Sequence, residues 1–502
     1  MAKQDKVYDY KRDAVQARLV SALKKRRGEA TSADIVALTG LPKYQVDSEL
    51  PAVADEFSGR LKVTDSGEIL YSFPRGFTSR YRGFGPAAKK AWKLAKKGLA
   101  AAGTFLFKAW IMVMLVGYFA LFLALIVLAV VASFAASASD KNGKSRSRSS
   151  GGGLFLAGRL IDLFVRIWFY SEVFKSPGQR RYEANARARG RENRRPLHKA
   201  IFSFVFGEPD PNAAHGELEK RAFVALVRVK KGLILLEDFM AVTGLPPVQA
   251  ETAINRYLYE FEGSPEVSEE GTVYYRFPAL MMRAQGDSTG AGDAPFRRLR
   301  PFSANDSKAN AWYAGINGFN LLFGSYFLVS ALSLGFFENA AVSGLSYLYY
   351  FTLRLFYGFM GQGALGAVMV GLGFVPIAFS ALFWLIPLVR SARLASENAR
   401  IKAENLRRVL YSQALASPSA VRAPEPASLP EMARPENAAQ AERALEELAA
   451  YEGGEPVAGS SAWALKELAR KARDIDSVRA ALRPDSYGLG GVAFDSDAPA
   501  DR

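Results

Sequence analysis

The sequence contains no cysteine, and only two of its 502 residues are histidine, His198 and His215. Without cysteine the chain has no disulfide bonds, no thiolate nucleophile and no thiolate ligands for an iron–sulfur cluster. An ordinary zinc site of cysteine and histidine ligands is excluded for the same reason. We therefore expect no metal and no cofactor on this chain.

Catalytic constellations are also missing from the sequence. It has no nucleophile–base pair, no phosphate-binding glycine loop and no pair of carboxylates at a defined spacing. We predict no catalytic residues and no enzymatic activity. The first 27 residues are too rich in charge to hold the apolar core of a secretory signal peptide, which predicts a cytoplasmic N-terminus.

One stretch of the sequence occurs twice. Residues 34–74 recur as residues 238–278 at a constant offset of 204, and 15 of the 41 positions are identical. The longest shared run is Thr-Gly-Leu-Pro, at residues 39–42 and 243–246. Such self-similarity indicates one supersecondary unit used twice.

Each copy has the pattern of three helices followed by a β-hairpin. In the first copy, apolar residues at helical spacing cover residues 14–27, and a second helix starts near Ser32 and is stopped by the Thr-Gly-Leu-Pro turn. The third helix then covers residues 43–57, and two strands at residues 61–64 and 68–73 follow. The second copy repeats this pattern, with its third helix at residues 247–261. The order predicts a winged helix-turn-helix.

The third helix of such a fold often reads DNA, but here its charge is unsuitable. Residues 43–57 carry one basic side chain against four acidic ones, and residues 247–261 carry one against two. Net acidity repels the phosphates of a duplex. We therefore predict that the third helices dock a protein, through the following residues: Lys43, Tyr44, Gln45, Val248, Gln249 and Arg256.

The net charge of +16 is unevenly distributed. Residues 75–108 contain nine Lys or Arg and no acidic residue, and residues 175–199 contain nine against two acidic residues. Both clusters lie beside apolar runs, where each basic side chain favours an anionic membrane surface by about 1 kcal/mol. We predict membrane lipids rather than nucleic acid as the partner of these clusters.

Several apolar runs predict an integral membrane protein. Residues 109–138 and 309–337 are long enough to cross a bilayer. Residues 154–174 hold four charges and either cross or lie in the interface, whereas residues 340–360, with Arg354, are expected to lie in the interface. Residues 361–389 form a third apolar run in the second half. The positions of the basic residues predict that both winged domains and the tail are cytoplasmic. We expect the membrane to be a bacterial inner membrane.

The predicted fold is a multi-domain α-helical membrane protein with two small α+β winged helix-turn-helix repeats and a partly disordered helical C-terminal tail. Phe202, Phe204 and Phe206 alternate, which indicates an aromatic strand or anchor. The predicted segments are the first repeat (1–78), a basic juxtamembrane segment (79–104), the first membrane unit (105–175), a basic linker with the Phe-rich motif (176–212), the second repeat (213–282), a linker (283–308), the second membrane unit (309–390), an amphipathic helix (391–416) and a tail of Pro/Ala linker, two short helices and a disordered end (417–502).

Several motifs carry a resemblance to a known family. They are Phe-Ser-Phe-Val-Phe-Gly at 202–207, Asp-Pro-Asn at 210–212, Glu-Glu-Gly at 269–271, Tyr-Arg-Phe-Pro at 275–278, Ser-Gly at 66–67 and Tyr-Ser-Phe-Pro at 71–74. Over residues 30–282 the chain resembles an uncharacterised membrane-protein family of cyanobacteria and chloroplasts. Some members have carried an iron–sulfur cluster biosynthesis label. The resemblance implies a membrane location and a modular plan.

Three functions fit these features. The first is a membrane scaffold or adaptor whose winged domains bind another protein or a second copy of the chain. The second is a membrane-tethered DNA-binding regulator. The third is a subunit of a transporter or channel, suggested by the four glycines in residues 363–373, which allow close helix packing.

Overall fold

The computed structural model describes residues 10–26, 29–74, 76–77, 84–139, 195–284, 295–334, 345–483 and 487–496. The chain divides into two compact units. The repeat unit is built from residues 1–87, 210–299 and 396–502, and the helical unit from residues 88–209 and 300–395. The predicted helix at residues 154–174 lies outside the described residues.

The first repeat follows the predicted order of elements. It contains α1 (Arg12–Lys25), α2 (Ser32–Thr39), α3 (Lys43–Glu56), β1 (Arg60–Thr64) and β2 (Ile69–Ser72). Thr31 caps α2, because its hydroxyl accepts from the Asp34 amide while the Asp34 carboxylate accepts from the Thr31 amide. The apolar faces of the three helices meet in a core that includes the fully buried Leu19, Ile35 and Leu50.

The helical unit begins with one long helix. It consists of α4 (Phe84–Met112), a π-helical segment (Val113–Gly117) and α5 (Tyr118–Ser139). The Phe-rich motif then forms α6 (Leu197–Phe206), so the strand, one of the two predicted alternatives, is wrong, and the aromatic anchor stays a prediction. Ile201 and Val205 are one helical turn apart and both buried, and this four-residue spacing explains the helix better than the alternation of phenylalanines does.

The second repeat has the same elements as the first. They are α7 (His215–Val229), β3 (Leu233–Ile234), α8 (Leu236–Thr243), α9 (Pro247–Phe261), β4 (Ser264–Val267) and β5 (Val273–Arg276), with sheet order β3-β5-β4. In the first repeat the place of β3 is taken by a single bridge between Ala30 and Tyr71. Phe223, Phe239 and Phe261 fill the core of the second repeat.

The helical unit continues with α10 (Ser307–Leu334) and α11 (Leu345–Met360), then a second π-helical segment (Ala367–Phe374) and α12 (Val375–Ala416), whose residues from 396 onward belong to the repeat unit. Among the described residues, three helical stretches are long and apolar enough to cross a membrane: Gly98–Ala135, Ser307–Leu334 and Ser346–Ala416. Arg390 binds the end of α6, donating to the carbonyls of Phe204 at 2.7 Å and Val205 at 3.3 Å.

The end of α12 begins a third repeat that the sequence comparison did not reveal. After it come β6 (Val421–Arg422), α13 (Ala438–Tyr451), β7 (Glu455–Pro456) and β8 (Ala462–Ala464). The sheet order β6-β8-β7 is that of the second repeat. Two 3-10 turns, Pro426–Ser428 and Glu431–Ala433, lie between the first strand and the third helix, where the other repeats have an α-helix.

The backbone after the third helix is the same in all three repeats. A glycine amide donates to the carbonyl five residues earlier, at 2.7 Å for Gly59, 2.8 Å for Gly263 and 2.6 Å for Gly454. The preceding residue has a φ of 53°, 53° and 59°, respectively. A Cβ on Gly454 would lie 2.8 Å from Leu465, just as one on Gly59 would lie 2.8 Å from Phe73. Residues 400–465 share this geometry and the sheet order of the second repeat, and we refer to them as the third repeat.

Two further elements follow the third repeat, α14 (Lys466–Ala481) and β9 (Val492–Asp495). The sequence indicated a disordered end after residue 482, but β9 pairs antiparallel with β1 to give the sheet order β2-β1-β9. This pairing joins positions more than 400 residues apart, so no local pattern announces it.

Candidate functional site

The three repeats dock head to tail through the turn after the second helix. Gly40 has a φ of +65°, and a Cβ there would lie 2.8 Å from the backbone oxygen of Glu217 on α7. Gly244 has a φ of +68°, and a Cβ there would overlap the backbone oxygen of Glu404 on α12. Glycine is required at both positions by the positive φ and by the close approach of the next repeat. The Thr-Gly-Leu-Pro motif is therefore an inter-repeat contact as well as a turn.

Arginine side chains fasten these contacts. Arg18 of α1 donates to the Thr39 carbonyl of its own repeat at 2.8 Å and pairs with Glu217 of the second repeat at 2.9 Å. In the equivalent turn of the second repeat, Arg407 donates to the Gly244 carbonyl at 2.7 Å, and Arg408 donates to the Val242 carbonyl at 2.9 Å. The end of a helix carries unpaired carbonyls and a partial negative charge, which cations satisfy.

Two buried aspartates, identical in the two sequence copies, connect each repeat to the segments packed on it. Asp34 pairs with Arg26 of its own repeat and with Arg228 of the second repeat, at 3.3 Å each. Asp238 pairs with Arg479 of α14 at 3.4 Å. Removing one member of such a buried pair leaves a charge without compensation. Both aspartates also accept a hydrogen bond from the backbone amide at the start of the second helix, that of Thr31 or Leu235, so they serve the helix cap as well as the assembly of the repeat unit.

This docking brings the start of α3 against the end of α9. The Lys43 ammonium lies 2.8 Å from the Asp47 carboxylate and 2.9 Å from that of Glu262. Burial lowers the pKa of Lys43, but these hydrogen bonds outweigh it and raise the pKa above its usual value. The Tyr44 ring packs against Tyr259 with the centroids 5.6 Å apart. Lys43 and Tyr44 therefore make contacts inside the repeat unit.

A groove of about 1480 Å³ opens between the first and second repeats. Three of the six predicted docking residues line it: Tyr44, Gln45 and Arg256. The lining also includes aromatic and charged side chains from both repeats: Tyr10, Arg18, Glu217, Glu219, Lys220, Tyr257, Tyr259 and Glu260. The arrangement combines aromatic surface with charges of both signs.

The charges along the groove are fixed by neighbouring side chains. Arg256 pairs with Glu260 at 2.7 Å, and Lys220 also contacts Glu260. The Tyr257 hydroxyl donates to Glu219 at 3.1 Å. Burial, followed by the negative charge of Glu219, raises the pKa of Tyr257 far above its usual value, so its hydroxyl stays protonated. These polar side chains of the groove are thus held in place by one another.

The other predicted docking residues lie elsewhere. Val248 and Gln249 occupy the first turn of α9 and do not line the groove, and Val248 is 72% exposed. Sequence reasoning also missed Tyr10, Tyr257 and Tyr259, which the groove needs. The aromatic spacing of Tyr257 and Tyr259 on the third helix is the one signal that could have indicated them.

A second cluster of charges lies where α14 packs on the second and third repeats. The Lys471 ammonium lies 2.9 Å from Glu237 and 3.0 Å from Glu452. The side chain of Glu452 is fully buried, and it occupies the position of Phe261 in the second repeat. Burial, together with the charge of Glu237, raises the pKa of Glu452 to about 8.

Neither histidine belongs to a group of possible metal ligands. His198 packs edge-on against Phe105 in the helical unit, and His215 lies 3.3 Å from Arg408 and 3.5 Å from Glu219 in the repeat unit. In the described part of the chain, no three His, Cys, Asp or Glu side chains come together as metal ligands would.

The chain is similar to an uncharacterised chloroplast protein of Arabidopsis thaliana. The two sequences are 25% identical over 423 residues, which cover 80% of this chain and 73% of the plant protein. That protein's name carries no activity and no iron–sulfur label. No protein-family model and no solved structure matches the chain.

Proposed function

We propose that the chain is a membrane-anchored scaffold whose three winged-helix repeats form one continuous array for docking another protein. The apolar helices anchor it, and the repeats lie on the cytoplasmic side with the tail. The head-to-tail contact at Gly40 carries this proposal, because it directs the third helices of two repeats toward each other and creates the tyrosine-lined groove. Tyrosine and arginine are the residues most enriched where binding energy concentrates in protein interfaces.

The same contacts weigh against DNA as the ligand. A recognition helix needs its first turns free to enter the major groove. In the first repeat, Lys43 is committed to Glu262 and Tyr44 to Tyr259. Glu49, in the middle of α3, is buried and accepts hydrogen bonds from Tyr10 and Gln16. Lys43 and Tyr44 are thus engaged with the second repeat, and Glu49 with other side chains of its own repeat.

Site-specific photo-crosslinking tests this function in the full-length chain. A photoreactive residue in place of Gln45 should capture one protein reproducibly. The same probe at Glu269, exposed on the second hairpin, should not capture it. Adding Tyr44→Ala and Arg256→Ala should weaken binding of the captured protein by about 30-fold, the effect of losing roughly 2 kcal/mol of anchor contacts. A probe at Gln249 tests whether docking extends to the first turn of α9.

Two results would reject the scaffold. One is identical capture from Gln45 and Glu269. The other is sequence-specific binding of a DNA duplex by the full-length chain that is lost on changing Lys43, Tyr44 or Gln45. Such binding would depend steeply on salt, with a slope of log K against log salt of about −0.9 per neutralised phosphate. The second result would favour the membrane-tethered regulator.

A transporter or channel subunit is the second candidate, and two buried amides in α10 favour it. Asn317 donates to the Ser380 carbonyl at 3.1 Å, and Asn320 donates to the Leu115 carbonyl, in a π-helical segment, at 2.7 Å. The Oδ1 atoms of both have no hydrogen-bond partner among the described residues. Polar groups inside membrane helices and π-helical segments are both common at functional sites. Liposomes containing the chain should then pass Na⁺, K⁺ or H⁺ faster than empty liposomes, and Asn320→Leu should abolish the difference.

A further inference from the structure

The outer edge of β1 in the first repeat carries an added strand. β9 pairs with it antiparallel, with Lys62 opposite Asp495 and Val63 opposite Phe494. At one end the Ser496 amide donates to the Leu61 carbonyl at 2.9 Å, and the Leu61 amide donates to the Ser496 hydroxyl at 3.1 Å. Leu61 therefore directs both its backbone groups outward, away from β2.

Backbone bonds and one charge pair hold β9, with little help from apolar side chains. Val492 and Phe494 remain 53% and 60% exposed. The Asp65 amide donates to the Gly491 carbonyl at 2.9 Å, and the Asp65 carboxylate accepts from the Gly491 amide at 2.6 Å. Binding of this kind tolerates changes in side chains, as in proteins that recognise peptides by adding a strand to a sheet.

The other two repeats have the equivalent edge blocked. In the first repeat Leu61 lies opposite Tyr71, and at this register position the second repeat has Pro265 opposite Tyr275, while the third has Pro456 opposite Trp463. Proline has no amide hydrogen to donate to an added strand, and it is a common device for protecting sheet edges. Among the described residues, no strand pairs with the outer edge of β4 or β7.

We propose that the outer edge of β1 is a strand-addition site for an extended segment of a partner protein, and that β9 occupies it in cis as a competitor. The partner segment has two small residues at the positions that Gly490 and Gly491 occupy beside Asp65, and an acidic residue opposite Lys62. Its remaining side chains need no deep pocket, as Val492 and Phe494 need none. Lys62 supports this chemistry, because its ammonium lies 3.8 Å from Asp495 of the added strand, while Glu29 of the first repeat holds the same ammonium at 2.8 Å. The inference rests on the proposed docking function, but it uses a surface separate from the tyrosine-lined groove.

A labelled peptide of residues 489–496 tests the site on the full-length chain. Phe494→Pro and Ser496→Pro in the chain should release β9 and open the edge. Fluorescence anisotropy should then show saturable binding, at least tenfold tighter than binding to the unmodified chain, where β9 competes. Adding Leu61→Pro, which gives β1 the edge of the second repeat, should reduce binding at least tenfold.

A charge exchange keeps the test valid if Leu61→Pro disturbs the fold. Lys62→Glu in the opened chain should weaken the natural peptide, and a peptide with Asp495→Lys should recover the lost binding. No binding to the opened chain, or equal binding with and without Leu61→Pro in chains with the same circular dichroism, would overturn the proposal. A dimer of the unmodified chain that Phe494→Pro dissociates would also overturn it, because the occupant would then be a second copy. Tyr44→Ala should leave peptide binding intact, so a failure of the groove and a failure of this edge give different results.

Discussion

Replacing Gly244 by alanine should loosen the docking of the third repeat on the second. The residue has a φ of +68°, where a side chain costs about 1–2 kcal/mol. Its Cβ would also overlap the backbone oxygen of Glu404, which cannot move without shifting α12. Overpacking of this kind costs about 1–3 kcal/mol more. We therefore expect a total loss of roughly 2–5 kcal/mol.

Gly271→Ala is the matched control for this change. Gly271 has a φ of +82°, but nothing lies within 4 Å of the position its Cβ would take. It should lose only the conformational part, about 1–2 kcal/mol. The difference between the two variants isolates the contact between repeats.

Hydrogen–deuterium exchange of the full-length chain in detergent measures this difference by region. In Gly244→Ala, amides at the end of α8 and in residues 396–416 should exchange about 5- to 150-fold faster than in Gly271→Ala. This factor corresponds to the difference of about 1–3 kcal/mol between the two variants. Equal exchange in the two variants would show that the turn does not hold the repeats together. Gly40→Ala should act in the same way on the first and second repeats, more mildly, because its closest contact is 2.8 Å.

Three further predictions follow from the buried charges and the proposed topology. Because the folded pKa of Glu452 is about 8 and its ordinary value is 4.5, the folded chain keeps a proton that the unfolded chain has released between those pH values. The free energy of unfolding should therefore fall as pH rises from about 5 to 8, by at most about 1.4 kcal/mol per pH unit. Glu452→Gln should reduce the slope of melting temperature against pH in this range, and equal slopes for the variant and the unmodified chain would contradict this. Asp34→Asn should cost about 3–5 kcal/mol in urea unfolding, since it leaves the buried Arg228 without its counter-charge, and a loss below 1 kcal/mol would refute the pairing. Single cysteines at Ser66 and Glu269, both exposed, should resist an impermeant thiol reagent in intact cells, and labelling of either would place that repeat outside.

The sequence alone determined the features that depend on neighbouring residues. The Thr-Gly-Leu-Pro run ends one helix and begins the next because Gly adopts a left-handed backbone and Pro fits only a helix start, and the structure has α2 ending at Thr39 and α3 beginning at Lys43. The long apolar runs were likewise readable, since the length needed to cross a bilayer is a property of a continuous segment.

Only the tertiary structure decided how the repeats are used. The third repeat has a fully buried apolar residue, Leu410, on its first helix, as the other repeats have in Leu19 and Phe223, and it keeps the backbone geometry of Gly263 in Gly454. These features do not require identical residues, so the sequence alone does not reveal the third repeat. A packed core constrains size and backbone path more than residue identity.

The meaning of single positions also required the structure. Leu61 and Pro265 align in the two sequence copies, and only Leu61 has a backbone amide hydrogen. This difference matters for strand pairing only because the Leu61 amide points outward and β9 pairs with that edge, which the structure alone shows. Lys43 has the charge of a docking residue, but it is committed to Glu262, more than 200 residues away. Contacts between distant segments decide which polar groups remain available, and no local sequence pattern contains that information.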